Sequence, residues 1–184
     1  MKTATISFFI LFFSFSAFSF SGLGQDEKPV KIKLKDFEKS ASTLIGKTIT
    51  VTGIVDHVCK HGGKKLFLVD EHSDARVKIT TGENMAAFTQ DLIGETIEIT
   101  GVVEEQRIDE EYLTEMENKL QSGVKQKGDG LHLKNEGSHD DHEKNENQDQ
   151  LQKIKLLKDQ LKKSGKDHLS FFSIKATGYK KAEE

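Results

Sequence analysis

Two stretches of strict alternation dominate the hydrophobic pattern. Leu44-Ile45-Gly46-Lys47-Thr48-Ile49-Thr50-Val51-Thr52-Gly53-Ile54-Val55 returns forty-eight residues later as Leu92-Ile93-Gly94-Glu95-Thr96-Ile97-Glu98-Ile99-Thr100-Gly101-Val102-Val103, with eight of twelve positions identical. In each copy Thr or a charge alternates with Ile or Val, the period of a half-buried strand. Each is entered through one glycine and carries a second where a strand bends. The first predicts a strand over about 48–61, the second a strand over 95–104. Between them, Lys64–Asp70 and Arg76–Thr80 read as strands, with Gly62-Gly63 as a two-residue hairpin turn and Glu71-His72-Ser73-Asp74 as the next turn. Met85, Phe88 and Leu92 recur at helical spacing over 83–91.

The order strand, strand, strand, helix, strand is that of a mainly β, five-stranded OB-fold barrel, which needs one more strand to close. That strand is predicted late, at His168–Ala176. Before it, helices are expected over 109–121 (Tyr112, Leu113, Met116, Leu120) and 149–163 (Leu151, Ile154, Leu157, Leu161), separated by a polar linker at 123–148 read as disordered. The organisation is therefore a leader (1–24), an N-terminal lead (25–43) with a short amphipathic piece at 37–44, strands one to four (44–108), a helical insertion between strands four and five (109–166) and a closing strand with its tail (167–184). Packing of the helical hairpin on its own barrel is expected.

The leader changes the composition. Met1-Lys2-Thr3, an apolar run from Ile6 to Phe20 and small residues before Gln25-Asp26 have the form of a secretory signal peptide. The run is short and broken by serines for a spanning helix, so a periplasmic or secreted product with no membrane span after cleavage is expected. Seven of the twelve Phe fall in this segment, which leaves the rest poor in aromatic groups. The chain has a net charge of −3, and from Leu44 to Arg107 seven Lys or Arg face ten Asp or Glu. That balance argues against a nucleic-acid partner. The single cysteine, Cys59, excludes an internal disulfide.

The paired Gly-x-Thr-Ile-x-[Val/Ile]-Thr-Gly lines and Phe67-Leu68-Val69-Asp70 resemble bacterial OB-fold domains of the tRNA-anticodon or nucleic-acid-binding type. With His57-Val58-Cys59-Lys60-His61-Gly62-Gly63-Lys64 and the leader, the chain resembles a little-characterised group of secreted or periplasmic OB-fold proteins. The resemblance implies a fold and a compartment, and no established activity.

The chemically distinctive segment is His57-x-Cys59-x-His61. Residues at i, i+2 and i+4 share one face of a strand, and nitrogen, sulfur and nitrogen donors suit copper(I), zinc or haem iron. His72 and His168 are candidates for a fourth ligand. A structural alternative stands beside this: if His61 pairs with Lys64, Cys59 stands opposite Leu66 and His57 opposite Leu68, where a lone cysteine is a small buried hydrophobe. Lys60, Lys64 and Lys65 flank the Gly62-Gly63 turn as a positive patch able to accept a phosphate or acidic partner. Ser138–Glu143, with His139 and His142, is a solvated linker or a weak metal collector. No phosphate loop, nucleophile elbow or spaced carboxylate pair is present. The expectation is a binding protein and not an enzyme. Its leading ligand is a metal ion or metal cofactor at the His-x-Cys-x-His hairpin, with a small ligand or protein partner also open, and the alternative is a protein- or oligomer-binding module with a structural cysteine, ahead of nucleic-acid binding.

Overall fold

A computed structural model describes residues 28–60, 62–122 and 146–182. The expected leader, most of the polar linker with its histidines, and His61 lie outside the described residues. The elements are β1 (Val30–Lys31), α1 (Leu34–Leu44), β2 (Thr48–Val58), β3 (Lys65–Val69), β4 (Arg76–Thr81), β5 (Thr96–Asp109), α2 (Glu110–Gln121), α3 (Glu146–Ser164) and β6 (His168–Lys181). Among the described residues no helix is long and apolar enough to cross a membrane.

Strands β2, β3, β4, β6 and β5 neighbour one another in that order, and β5 pairs back onto β2, so the sheet closes. All these pairings are antiparallel except β4 with β6. This is the OB-fold barrel, with the α2–α3 insertion between its fourth and fifth strands. Closure removes the open sheet edges. Ile49, Val51, Leu66, Leu68, Ile79, Ile97, Ile99 and Ile174 fill the interior. Helix α1 plugs one end: Leu34, Phe37, Ala41 and Leu44, at spacings of three, four and three, join the same core.

The repeated line explains how the barrel starts. Its copies are neighbouring antiparallel strands that meet with Val51 opposite Ile99, the same position of each copy. The pair therefore has a local two-fold axis, and its hydrogen bonds come in matched sets. Gly46 N–H donates to Val103 O (2.9 Å) as Gly94 N–H does to Val55 O (2.8 Å). Val103 N–H donates to Lys47 O (3.1 Å) as Val55 N–H does to Glu95 O (2.9 Å). Gly46 and Gly94 both take positive φ (76° and 86°), the conformation that turns the chain from a helical end into a strand at low cost. Leu44 and Leu92 are buried, and Ile45 and Ile93 are exposed.

Four expectations need correction. The helix expected at 83–91 is a series of turns, with only a 3₁₀ turn at Gln90–Leu92. Phe88 N–H is taken by Gly63 O (2.8 Å), outside any helix, although Phe88 and Leu92 are buried as their spacing suggests. The connection from β2 to β3 has six residues, 59–64, and is not a two-residue turn. Val30–Lys31 forms a short parallel strand on β2 in the lead. Finally, β5 and β6 run well past the barrel. Their extension, 105–109 with 168–172, is a two-stranded arm, and the helical hairpin expected to pack on the barrel packs on one face of this arm instead.

Candidate functional site

The position of His57 depends on a β-bulge. Along β2, Ile49, Val51 and Val55 point inward, so unbroken alternation would send His57 and Cys59 into the core. The register against β3 instead passes from Val55 opposite Leu68 to His57 opposite Phe67, which makes Asp56 an extra residue. One extra residue reverses the faces of everything after it. Val58, opposite Leu66, becomes the buried residue, and His57 and Cys59 flank it on the outer side. The expected pairing of Cys59 with Leu66 and His57 with Leu68 is thus shifted by one. Cys59 lies past the strand end, half-buried, where its N–H donates to Lys65 O (2.9 Å).

The bulge assembles a cluster outside the barrel. Phe67 projects outward between the inward Leu66 and Leu68, yet is only 8% exposed. The Arg76 guanidinium carbon sits 4.3 Å from the centre of its ring, and the His57 ring lies beside it at 6.4 Å, tilted by 43°. Asp56, freed from the ladder by the bulge, holds Arg76 through Oδ2 to Nη2 at 3.0 Å. The next positions on this face are Lys78, opposite Phe67, then Lys65 opposite Thr80. On β6, Ser173 lies opposite Lys78 and Lys175 opposite Thr80. Lys175 Nζ is near Glu83 (3.7 Å) and Glu104 (3.8 Å).

Both ends of the face are walled. Beyond Lys65 stands the 59–64 loop with Lys60 and Lys64 exposed, docked onto the segment before β5. Phe88 N–H donates to Gly63 O, and Gln90 Nε2 donates to Val58 O (3.1 Å). Gly62 is exposed, whereas Gly63 is buried, and a Cβ on Gly63 would fall 2.2 Å from Phe88 O. At the other end, Phe171 and Leu169 share the outer side of β6 with Ser173 and pack among α2 and α3. The helical insertion therefore rises on the same side as the face.

Among the described residues no group of three or more His, Cys, Asp or Glu is placed to hold a metal ion. Of the expected donors, His57 and Cys59 share the outer side, and His61 lies outside the described residues. His72 sits in the exposed β3–β4 turn beside Glu71 (4.0 Å). His168 begins β6 on the arm, its Nδ1 2.7 Å from Asp167. The residues that sequence reasoning missed are Asp56, Phe67, Arg76 and Lys78. Alternation in Val77-Lys78-Ile79 marks Lys78 as outward, but the apolar run Leu66-Phe67-Leu68 does not mark Phe67, and nothing in the sequence marks the bulge that completes the cluster. Counting charges over 44–107 also mixes faces. The fold lines up Lys65, Arg76 and Lys78 on one face with Lys60 and Lys64 in the adjoining loop, Asp56 pairing with Arg76 and Glu83 and Glu104 lying near Lys175, and puts Glu110, Glu111, Glu115 and Glu117 on α2.

No protein-family model and no curated protein matches the chain. Among solved structures it is similar to a chain of the S. pombe Stn1–Ten1 complex, with 17% identity, a TM-score of 0.33, and coverage of 42% of this chain and 65% of that one. It is also similar to the telomere capping protein Ten1 from Saccharomyces pombe (17% identity, TM-score 0.29, 40% and 66% covered). A third likeness is to a putative aspartyl-tRNA synthetase from Leishmania major Friedlin (14%, 0.30, 47% and 18%). The chain spans just under two thirds of the first two chains and under a fifth of the third. Likenesses at these scores add nothing to the fold already traced from its strand pairing.

Proposed function

We propose that the protein is an OB-fold binding module that holds an extended anionic oligomer across the outer face of β3 and β4, with single-stranded nucleic acid as the ligand class. The observation that supports this is the face itself. Lys65, Arg76 and Lys78 stand around the Phe67 and His57 rings, between the 59–64 loop and the helical insertion. The outer surface of an OB-fold's second and third strands, flanked by these two connections, suits a strand-like ligand. Cations attract phosphates, and flat groups stack on bases. A saccharide polyanion would satisfy the cations alone.

The test is fluorescence anisotropy with a labelled single-stranded oligonucleotide over a salt series. Affinity should fall steeply with salt, and Lys78→Ala or Lys65→Ala should each reduce the slope of log affinity against log salt by about 0.7. His57→Ala should weaken oligonucleotide binding more than binding of a sulfated saccharide, because it removes the partly exposed ring of the face, Phe67 and Arg76 being mostly buried against each other. No binding at low salt, or variants that match the parent, would reject the proposal.

A second reading, capture of copper or zinc, is favoured by one observation: the bulge turns a nitrogen and a sulfur donor, His57 and Cys59, to the same outer side. Elemental analysis of the purified protein and its Cys59→Ser variant decides it, since equal metal content in both would exclude Cys59 as a ligand. The leader-like segment before Gln25 supports a periplasmic or secreted location. N-terminal sequencing of protein from its producing cell tests this, and an intact Met1 rejects it.

A further inference from the structure

Among the described residues, the buried hydrophobic residues other than Phe67 fall into two clusters that share no member. The barrel cluster has nineteen residues. The other has seven, Ile108, Leu113, Met116, Ile154, Leu157, Leu161 and Leu169, all on the arm or its helices, with Tyr112, Leu120 and Phe171 packed against them. The backbone divides at the same place. Pairing of β2 with β5 stops at Val102, apart from one bridge between Ile45 and Val103, and pairing of β4 with β6 starts only at Ser173. Beyond that line, 105–109 and 168–172 have only each other as ladder partners, and Phe172 at the root of this ribbon packs against the barrel core. Helices α2 and α3 pack on each other, and α2 on β5.

We infer that the arm with its two helices is a separate cooperative unit, which opens while the barrel stays closed. A two-stranded ribbon is marginal alone and holds only as long as something packs on it. Here that is a small core built entirely from the insertion and the arm. Losing it breaks no barrel ladder, because the β5 and β6 segments on the barrel side keep their own partners and hold the ends of the insertion together. The added entropy cost of keeping those ends together grows only slowly with loop length. The polar contacts at the arm's root also lie mostly within it: Glu105 accepts from Ser170 Oγ (2.7 Å) and Arg107 Nε (2.9 Å), with His168 Nε2 at 3.7 Å. Lys175 to Glu104 is a partly exposed pair that crosses the line. This inference stands whether or not the face binds an oligomer.

Hydrogen exchange on the full chain tests it. Amides of α2, of α3 and of the 105–109 and 168–172 ribbon should exchange at least about 100-fold faster than those of Ile49, Val51, Ile97 and Ile99, as expected for sub-global opening. Leu113→Ala should speed the arm amides by a further factor of about 100 or more and leave the barrel amides within twofold. Ile154→Val should do the same by about tenfold, and serves if Leu113→Ala fails to fold. Ile99→Ala should move the barrel amides alone. Equal protection of arm and barrel in the parent, or any of these variants shifting both sets together, would overturn the inference.

Discussion

Gly63→Ala tests how the 59–64 loop is fixed as a wall of the face. Gly63 has φ of +59°, and a Cβ there would lie 2.2 Å from the carbonyl oxygen of Phe88. Two costs follow. A side chain in the left-handed region costs about 1 kcal/mol or somewhat more. The clash is with backbone, which cannot rotate away as a side chain could. Relieving it means moving the 86–88 segment by nearly an ångström, at the expense of the Phe88 N–H to Gly63 O bond (2.8 Å) and of the seat of Phe88, 3% exposed in the barrel core. A lost hydrogen bond and a strained core contact together add about 2–4 kcal/mol. Gly62 is the control, since its φ is +83° and nothing lies within 4 Å of its Cβ position. Gly62→Ala should therefore cost only the backbone strain, about 1 kcal/mol. Urea unfolding followed by circular dichroism reads the difference, expected at about 2–4 kcal/mol, or about 5–15 °C in Tm for a chain of this size. If the two variants agree within about 1 kcal/mol, the loop does not dock on Phe88 as described.

Other outcomes follow from single positions. The Glu105 carboxyl is held below the usual carboxylate range, first by the Ser170 hydroxyl and then by Arg107. A depressed carboxylate stabilises the fold above its unfolded pKa and loses that contribution as pH falls through the folded value. Arm protection should therefore drop on acidification below about pH 4, and Glu105→Gln should flatten that dependence in hydrogen exchange. Asp109 caps α2 by accepting from Tyr112 N–H (2.8 Å), so Asp109→Ala should cost about 1 kcal/mol, read as faster exchange in α2. Ile99 is fully buried at the two-fold centre of the β2–β5 pair. Ile99→Ala should cost about 2–5 kcal/mol in urea unfolding, and a loss under 1 kcal/mol would refute its place in the core.

Most of the barrel was legible because its strands obey one rule. Wherever Ile or Val alternates with polar residues, as in Thr48–Val55, Arg76–Thr81 and Thr96–Val103, the inward set follows directly. The misreadings fall where tertiary contacts outweigh local pattern. Met85, Phe88 and Leu92 have helical spacing, but the segment is tied to other parts of the chain at two points: Gly63 O takes Phe88 N–H, and Ala176 O takes Gly82 N–H (2.8 Å). The arm was hidden for a related reason. Glu104-Glu105-Gln106-Arg107 shows no alternation, and it is strand only because Phe171 and Phe172 pair across from it.

The candidate site was half legible, and the missing half turns on one residue. Before Asp56 the inward positions of β2 are odd-numbered, and by that count His57 and Cys59 belong to the core. A sequence reader who assumes a common face for them is right about the sharing and blind to which face it is. The bulge decides it, and nothing local announces the bulge, because the second copy of the line has Glu104 at the matching place and keeps its register with β6 there. What differs is the partner: β2 meets Phe67 and Arg76 at this level, a ring and a cation that use an outward imidazole and carboxylate, whereas β5 meets Phe172 and Ser173. The two copies share a backbone program up to Val55 and Val103. Their neighbours, not their own residues, then send one toward a cluster on the barrel's outer face and the other out along the arm.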